Sequence, residues 1–269
     1  MNVLPKLIAF DLDGTLLTSQ KHITPRSIAA IRELSIRGVQ IILCTGRPPR
    51  STRSFMNQLN ITHSIVYNGA ALYDYPNDKI SELRTLSPAS AQLAFKRIRK
   101  AFPDVQAGLE TTEGWFLDPK FYDYRLQLRS SPDQFQPDEV GSIERLLEGK
   151  TVIKLLFRHP EKSAQDLSQA LSAQSLYQTW SASSILEVMH PQVNKRNALL
   201  RLTAGLGVKP EEIAAFGDQH NDREMLLWVG TSVTPANASP LISSIADIHT
   251  ASNDKDGVSI VLEQWLSLT

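Results

Sequence analysis

The sequence contains a single cysteine among 269 residues, and this scarcity excludes several classes of protein. Cys44 alone cannot build an intramolecular disulfide framework or a metal site of several thiolates. No apolar run approaches the length of a membrane span, so we expect no membrane partner. The N-terminal stretch carries no cleavage signature, and we therefore expect a cytoplasmic protein.

The chain also has no net charge, because 28 Lys and Arg residues balance 28 Asp and Glu residues. A neutral chain argues against a partner held by bulk electrostatics, so we expect no nucleic-acid binding. A small charged ligand needs only a few local charges and stays compatible with this balance. Hydrophobic residues make up 42% of the chain, which indicates a globular protein of one large or two modest domains.

Both ends of the chain alternate between predicted strands and helices. Short apolar runs at residues 7–10, 39–43, 64–67 and 213–216 predict buried strands, and Thr24-Pro25 predicts a helix start. This order predicts an α/β fold with a Rossmann-like parallel sheet. Residues 84–184 instead show an α+β pattern, so we predict a core of residues 1–83 and 185–269 that is split by an inserted α+β domain.

Acidic residues follow the first predicted strand, in the segment Asp11-Leu12-Asp13-Gly14-Thr15. In an extended chain Asp11 and Asp13 face the same side, while Leu12 faces the core. A simple turn would also use Asp and Gly, but the carboxyl edge of a parallel sheet is where such folds bind ligands. An ionised aspartate can attack an electrophile directly, and a hard cation such as Mg²⁺ would offset the repulsion between two carboxylates.

Three further segments are candidates for the same site. Thr45-Gly46-Arg47 follows the second strand and offers groups that suit a phosphate, although a loop with a surface arginine is the simpler interpretation. Lys195 is a cation at a predicted helix start, where a solvated lysine is the default. The segment 217–222 places two carboxylates and an amide at another strand end.

Together and in this order, these segments resemble the haloacid dehalogenase superfamily of phosphohydrolases. Asp11–Thr15 match its first motif, Thr45 the second, Lys195 the third, and Gly217, Asp218 and Asp222 the fourth. The segments Asn68-Gly69-Ala70, Asn237-Ala238 and Asp256-Gly257-Val258 resemble the Cof-type subfamily, class IIB, whose inserted domain is a C2-type cap. Arg196 departs from the pattern, because a glycine is common at that position.

The resemblance implies a role for each matching residue. Asp11 would be the nucleophile and Asp13 the general acid and base. Asp11, the backbone carbonyl of Asp13, Asp218 and Asp222 would hold Mg²⁺. The phosphate ligands would be Thr45, Lys195, Asn221 and the backbone amides of Leu12 and Gly46, and the candidates for substrate specificity are Arg47 and Asn68.

The expected function is a Mg²⁺-dependent phosphatase that hydrolyses small phosphorylated metabolites through an aspartyl-phosphate. A phosphotransferase or phosphomutase on the same scaffold is an alternative, and so is a non-catalytic binding protein that retains the fold. We expect a monomer or a weak homodimer. In the inserted domain, the aromatic residues Trp115, Phe121, Tyr122 and Tyr124 are candidates either for stacking on a substrate or for the domain's own core.

Overall fold

The computed structural model describes residues 4–128, 135–182 and 184–267. Within these residues the strands are β1 (Leu7–Phe10), β2 (Gln40–Cys44), β3 (His63–Val66), β4 (Ala71–Asp74), β5 (Lys79–Ser81), β6 (Gln106–Thr111), β7 (Trp115–Leu117), β8 (Glu139–Val140), β9 (Val152–Arg158), β10 (Tyr177–Ala182), β11 (Ile185–Met189), β12 (Ile213–Phe216), β13 (Thr231–Pro235) and β14 (Ile248–Thr250).

Helices alternate with these strands and are mostly short. They are α1 (Pro25–Ile36), α2 (Arg53–Leu59), α3 (Pro88–Ala101), α4 (Pro119–Gln127), α5 (Ile143–Leu146), α6 (Ala164–Gln169), α7 (Lys195–Leu206), α8 (Arg223–Leu226), α9 (Pro240–Ser243) and α10 (Gly257–Ser267). Over the described ranges, no helix is long and apolar enough to cross a membrane.

The first compact unit comprises residues 1–82 and 194–269 and contains an eight-stranded sheet. Its strand order is β14-β13-β12-β1-β2-β3-β4-β5, and the six strands from β14 to β3 are parallel. Phe10 and Phe216 stack across β1 and β12 with ring centroids 4.9 Å apart. The central strands β1 and β12 are fully buried, as their continuous apolar runs predict.

Helix α1 begins as the sequence predicts. The Thr24 side chain accepts a hydrogen bond from the Ser27 backbone N–H, and Pro25 occupies the first helical position. The helix then buries Ile31 and Leu34, which lie one turn apart on its inner face.

The second compact unit, residues 83–193, contains a six-stranded sheet of order β10-β11-β9-β6-β7-β8. Its pairs are antiparallel, apart from the parallel pair β7–β8. The predicted end of the inserted domain at Ser184 is nine residues too early. The reason is that β11, which follows Ser184, pairs with β9 on one side and β10 on the other, so the sheet needs it.

Aromatic residues of this second unit form a core cluster of their own. Trp115, Leu117 and Phe121 are buried together, and Tyr122 and Tyr124 pack against them. Phe121 lies in helix α4, which the sequence pattern did not predict; Asp118 caps this helix by accepting from the Phe121 N–H at 2.7 Å. The predicted class, α/β with an inserted α+β unit, is confirmed.

Candidate active site

The carboxyl ends of four adjacent strands bring the predicted site residues together in the first unit. In the order β12-β1-β2-β3, Gly217 and Asp218 follow β12, Asp11 follows β1, Thr45 follows β2, and Asn68 follows β3. Parallel strands end at one edge of the sheet, so segments that are far apart in sequence become neighbours there.

Lys195 connects two of the carboxylates. Its side chain is completely buried, and its Nζ donates to Asp11 Oδ1 and, at 2.5 Å, to Asp222 Oδ1. Lys195 is the first residue of α7, and Asn194 caps that helix by accepting from the Asn197 N–H at 2.7 Å. The cap therefore fixes the helix start, and the first helical residue is directed into the carboxylates.

Asp218 and Asp222 form the acidic side of the site. Asp218 Oδ1 accepts from the Thr15 hydroxyl at 2.8 Å, and its Oδ2 accepts from Gln219 Nε2 at 3.2 Å. Asp222 Oδ2 accepts from the backbone N–H groups of Asp218 and Gln219, both at 3.1 Å. These bonds fold the segment 217–222 tightly, so that the buried carboxylates of Asp218 and Asp222 lie next to each other.

Gly14 allows this acidic side to approach the first motif. Its φ of 81° lies in the left-handed region, where a residue without a Cβ is favoured. A Cβ at this position would overlap the Asp218 carboxylate. Glycine is therefore required here both by the backbone conformation and by the lack of space.

The Asp13 side chain pairs with two cations. Arg47 donates through Nε to Asp13 Oδ2 at 2.6 Å and through Nη2 to Oδ1 at 2.8 Å. Lys21 Nζ donates to the same Oδ1 at 2.7 Å. Arg47 pairs here with a predicted catalytic residue, and its assignment as a candidate for substrate specificity stays a prediction.

Three of the predicted phosphate ligands, Thr45, Gly46 and Asn221, contact the two residues predicted for substrate specificity. Thr45 is buried, and its hydroxyl accepts from the Arg47 N–H at 3.2 Å. Asn221 Nδ2 donates to Asn68 Oδ1 at 3.0 Å, and the Asn68 side chain lies so close to Gly46 that a Cβ there would be 2.8 Å from its Oδ1. Leu12 packs in the core, as predicted. The assignment of phosphate-binding roles to these groups stays a prediction.

Burial and mutual repulsion govern the acid–base properties of the buried carboxylates. Burial raises the pKa of Asp11 well above its usual value, Lys195 opposes this, and Asp222 and Asp218 add to it. Burial, together with the Asp222 charge, raises the pKa of Asp218 to about 7. Burial lowers the pKa of Lys195, but Asp11 and Asp222 outweigh it and raise the pKa above its usual value, so this lysine is charged.

The pKa values of Asp13 and Cys44 shift in opposite directions, although burial acts to raise both. Burial acts to raise the pKa of Asp13, but the hydrogen bonds and charge of Arg47, together with Lys21, lower it below the usual value. Asp13 is therefore ionised in this arrangement. Burial raises the pKa of the Cys44 thiol, which keeps it protonated and unsuited to act as a nucleophile.

The cluster of Asp11, Asp218 and Asp222 fits a divalent cation. One oxygen from each residue can be chosen so that all three lie within 4.8 Å of one another, and all three residues are buried. Carboxylate oxygens are the hard ligands that Mg²⁺ prefers, and a cation would relieve the repulsion that raises the pKa values. The Asp13 side chain lies outside this group; its predicted contribution is a backbone carbonyl and stays a prediction.

Comparison with known proteins agrees with this geometry. The haloacid dehalogenase-like hydrolase family matches residues 8–262, so the chain belongs to this family. The predicted family, its split core with an inserted cap, and the predicted phosphatase class are thereby confirmed.

Several relatives are similar over nearly their full length. A 5-amino-6-(5-phospho-D-ribitylamino)uracil phosphatase, YitU of Bacillus subtilis, is 29% identical, with 100% of both chains covered. The HMP-PP phosphatase of Serratia proteamaculans is 29% identical and covers 97% of this chain and 95% of its own. Among solved structures, BT1666 from Bacteroides thetaiotaomicron has a TM-score of 0.84 at 24% identity, covering 100% of this chain and 97% of its own.

Three residues of the site escaped prediction. Thr15 belongs to the first motif, but its bond to Asp218 spans 203 residues of sequence. Gln219 lies between motif residues and was not assigned a role, although it donates to both carboxylates beside it. Lys21 lies eight residues after Asp13 in a polar loop, and nothing in its sequence context distinguishes it from a solvated lysine.

Proposed function

We propose that this protein is a Mg²⁺-dependent phosphatase that hydrolyses small phosphorylated metabolites through an aspartyl-phosphate on Asp11. One observation carries the proposal: Asp11 lies at the carboxyl end of a central strand, is bonded to the buried Lys195, and belongs to a carboxylate cluster that can hold a cation. A carboxylate so placed is both a nucleophile and a metal ligand.

In the first step, an Asp11 oxygen attacks the phosphorus atom, and the bond from phosphorus to the ester oxygen breaks. Lys195 holds the Asp11 carboxylate in place and offsets the charge of the transferring group. A bound Mg²⁺, held by Asp11, Asp218 and Asp222, would supply further positive charge and favour the ionised form of Asp11. Asp13 first takes up a proton from solvent as it exchanges a cation partner, and it then gives this proton to the departing oxygen.

In the second step, Asp13 takes a proton from water, and the resulting hydroxide attacks the phosphorus of the aspartyl-phosphate. The bond between phosphorus and Asp11 breaks, which releases inorganic phosphate and restores the carboxylate. Asp13 is ion-paired with Arg47 and Lys21 in this structure. It must therefore exchange at least one of these partners before it can carry a proton.

The proposed substrates are small phosphomonoesters. Relatives over nearly the whole chain are named as phosphatases of 5-amino-6-(5-phospho-D-ribitylamino)uracil, which is a small phosphomonoester, and of HMP-PP. The balanced charge of this chain gives no reason to expect a large polyanionic substrate. We also propose a cytoplasmic monomer or weak homodimer that acts without a nucleic-acid or membrane partner.

The test is a release assay for inorganic phosphate with purified protein, MgCl₂, p-nitrophenyl phosphate and a panel of sugar and nucleotide-like phosphomonoesters. We expect hydrolysis that stops when EDTA is added and returns with Mg²⁺. Asp11→Asn should lower turnover by at least about 10³-fold, because an amide is not a nucleophile at phosphorus. An acid quench of the wild-type reaction should trap one phosphoryl group on Asp11, detected by peptide mass spectrometry.

Asp104→Asn is the matched control, because Asp104 is an exposed carboxylate paired with Lys120 on the surface of the second unit. It should retain wild-type turnover. Substantial activity in Asp11→Asn would overturn the nucleophile assignment. Phosphate transfer to a second sugar without release of orthophosphate would favour the phosphotransferase or phosphomutase alternative.

A further inference from the structure

Lys21 adopts a backbone conformation that its residue type disfavours. Its φ is 62°, in the left-handed region, where a Cβ is crowded and glycine is the favoured residue. The turn is closed by bonds from the Lys21 N–H to the Thr18 carbonyl at 2.9 Å and from the Thr18 N–H to the His22 carbonyl at 3.0 Å. A lysine that takes the place of the favoured glycine indicates that its side chain has a use.

That side chain reaches Asp13. Lys21 Nζ lies 2.7 Å from Asp13 Oδ1, and the lysine side chain is about one-third exposed, as is that of Asp13. The loop from Thr18 to His22 thus carries a cation back to the carboxylate that follows β1. Surface lysines usually extend into water, since holding a long side chain in one geometry costs conformational entropy.

Arg47 and Lys21 hold Asp13 in different ways. The Arg47 guanidinium spans both carboxylate oxygens, whereas Lys21 touches one of them. The Arg47 backbone is fixed beside the predicted phosphate ligands, because its N–H donates to the Thr45 hydroxyl at 3.2 Å and its carbonyl accepts from the Tyr67 N–H at 3.0 Å. A planar guanidinium fits a phosphate as well as it fits a carboxylate, and an ammonium with rotatable donors can follow a carboxyl group that turns.

We propose that Lys21 is a positioning residue for Asp13, which keeps hold of this carboxyl group while Arg47 exchanges it for the anionic oxygens of the substrate. After Arg47, the bidentate partner of Asp13, has left, Lys21 directs Asp13 toward the departing ester oxygen. Among the described residues, Lys21 and Arg47 are the side chains bonded to the Asp13 carboxyl group, so without Lys21 the freed group samples unproductive rotamers. This inference rests on the proposed phosphatase function.

The experiment compares kcat/KM for two esters, because this ratio reports only the steps up to departure of the leaving group. The sugar phosphate that the wild-type protein hydrolyses fastest has an alkoxide leaving group that needs a proton from Asp13, whereas p-nitrophenolate departs without one. For Lys21→Met we expect kcat/KM on the sugar phosphate to fall by about 10- to 100-fold, and on p-nitrophenyl phosphate by less than about 3-fold.

Two further variants separate positioning from structure. Lys21→Gly suits the left-handed backbone, so its Tm should equal or exceed that of the wild type, yet it should show the same selective loss on the sugar phosphate. Lys21→Arg restores a cation and should recover most of the activity. Lys6→Met, which removes an exposed lysine paired with Glu212, is the control and should behave as wild type on both esters.

The outcomes distinguish this inference from the proposed function. If wild-type protein with Mg²⁺ hydrolyses neither ester, the proposed function fails, and the inference fails with it. If the wild type is active and Lys21→Met and Lys21→Gly keep the wild-type ratio between the two esters, the positioning role is overturned while the phosphatase function stands. An equal loss of kcat/KM on both esters also overturns it, because that result would mean that Lys21 supports the nucleophilic attack or the stability of the fold.

Discussion

The charged side chain of Lys195 is completely buried. This is unfavourable unless close partners compensate for the lost hydration of the ammonium group. Its two bonds to Asp11 and Asp222 provide that compensation, and the two carboxylates depend on the lysine in the same way. Breaking such a group by removing one member is far more damaging than never having built it. Lys195, which matches the third motif, therefore also stabilises the fold around the acidic site.

Replacing Lys195 with Met keeps the length of the side chain and removes its charge. We expect the free energy of unfolding in EDTA to fall by about 3–5 kcal/mol near neutral pH, because two carboxylates stay buried without their cation. The loss should shrink in acid, where the carboxylates take up protons. Urea unfolding followed by circular dichroism measures this change.

The control for that prediction is Lys6→Met. Lys6 also pairs with a carboxylate, that of Glu212, but its side chain is 63% exposed. An exposed pair contributes about 0–1 kcal/mol, so the Lys6 variant should unfold close to wild type. Equal effects of the two substitutions would contradict the role given to the buried lysine.

At the scale of elements, the loop after β1 depends on the absence of a side chain at Gly14. Gly14 and Gly38 have similar backbone conformations, with φ of 81° and 87°, but they differ in their surroundings. A Cβ at Gly14 would overlap the Asp218 carboxylate, whereas a Cβ at Gly38 would have no atom within 4 Å among the described residues. The two glycines therefore separate backbone strain from displacement of the site.

Alanine at either position should lower the free energy of unfolding by about 1 kcal/mol, because both backbones are left-handed. Only Gly14→Ala should also displace Asp218. We expect its phosphatase turnover to fall by at least about 10-fold and its apparent affinity for Mg²⁺ to weaken. Steady-state assays over a range of MgCl₂ concentrations measure both quantities. A similar loss of turnover in Gly38→Ala would show that the effect is strain alone.

The elements that sequence predicts well are those whose signal is local. Continuous apolar runs predict β1 and β12, and Thr24-Pro25 predicts the start of α1, because burial on both faces and capping each depend on neighbouring residues. The strand β11 has the same composition as a core strand, and its place in the second sheet depends on pairing with β9, which lies about thirty residues earlier. Pairing between strands so far apart in sequence cannot be predicted from the local sequence pattern.

The site follows the same division. Motif residues that end strands, such as Asp11 and Asp218, could be predicted, since the carboxyl edge of a parallel sheet gathers them. The partners of Asp13 could not, because Lys21 reaches it through a strained turn in a loop and Arg47 reaches it from the loop that follows β2. Side-chain pairing across loops depends on conformations that residue type alone does not specify.

At the scale of the whole molecule, zero net charge conceals a concentrated site. Asp11, Asp218 and Asp222 are buried in one cluster, and the cation Lys195 pairs with two of them. Burial, together with the remaining repulsion from Asp222, raises the pKa of Asp218 to about 7, against an ordinary value of 3.8 in the unfolded chain. The folded protein without metal therefore holds a proton there that the unfolded chain releases.

This difference links stability, pH and Mg²⁺. As pH rises from about 4 to about 7 in EDTA, the unfolded chain has lost its proton while Asp218 in the folded state retains it, so the free energy of unfolding should fall, by at most about 1.4 kcal/mol per pH unit for this group. Mg²⁺ binds the carboxylate and competes with the proton. The increase in Tm that Mg²⁺ produces should therefore be larger at about pH 8 than at about pH 5.5.

Differential scanning calorimetry with and without MgCl₂ at the two pH values measures that increase, and Asp218→Asn is the internal control. The amide has no proton to lose, so this variant should lose the part of the pH dependence of the Mg²⁺ effect that Asp218 contributes, together with part of the effect itself; the part due to Asp11, whose pKa is also raised, should remain. An increase in Tm of the same size at both pH values in the wild type would mean that the cation does not compete with protons at Asp218. The metal would then have to bind through groups that are already ionised, and the cluster that follows β1 and β12 would not be its site.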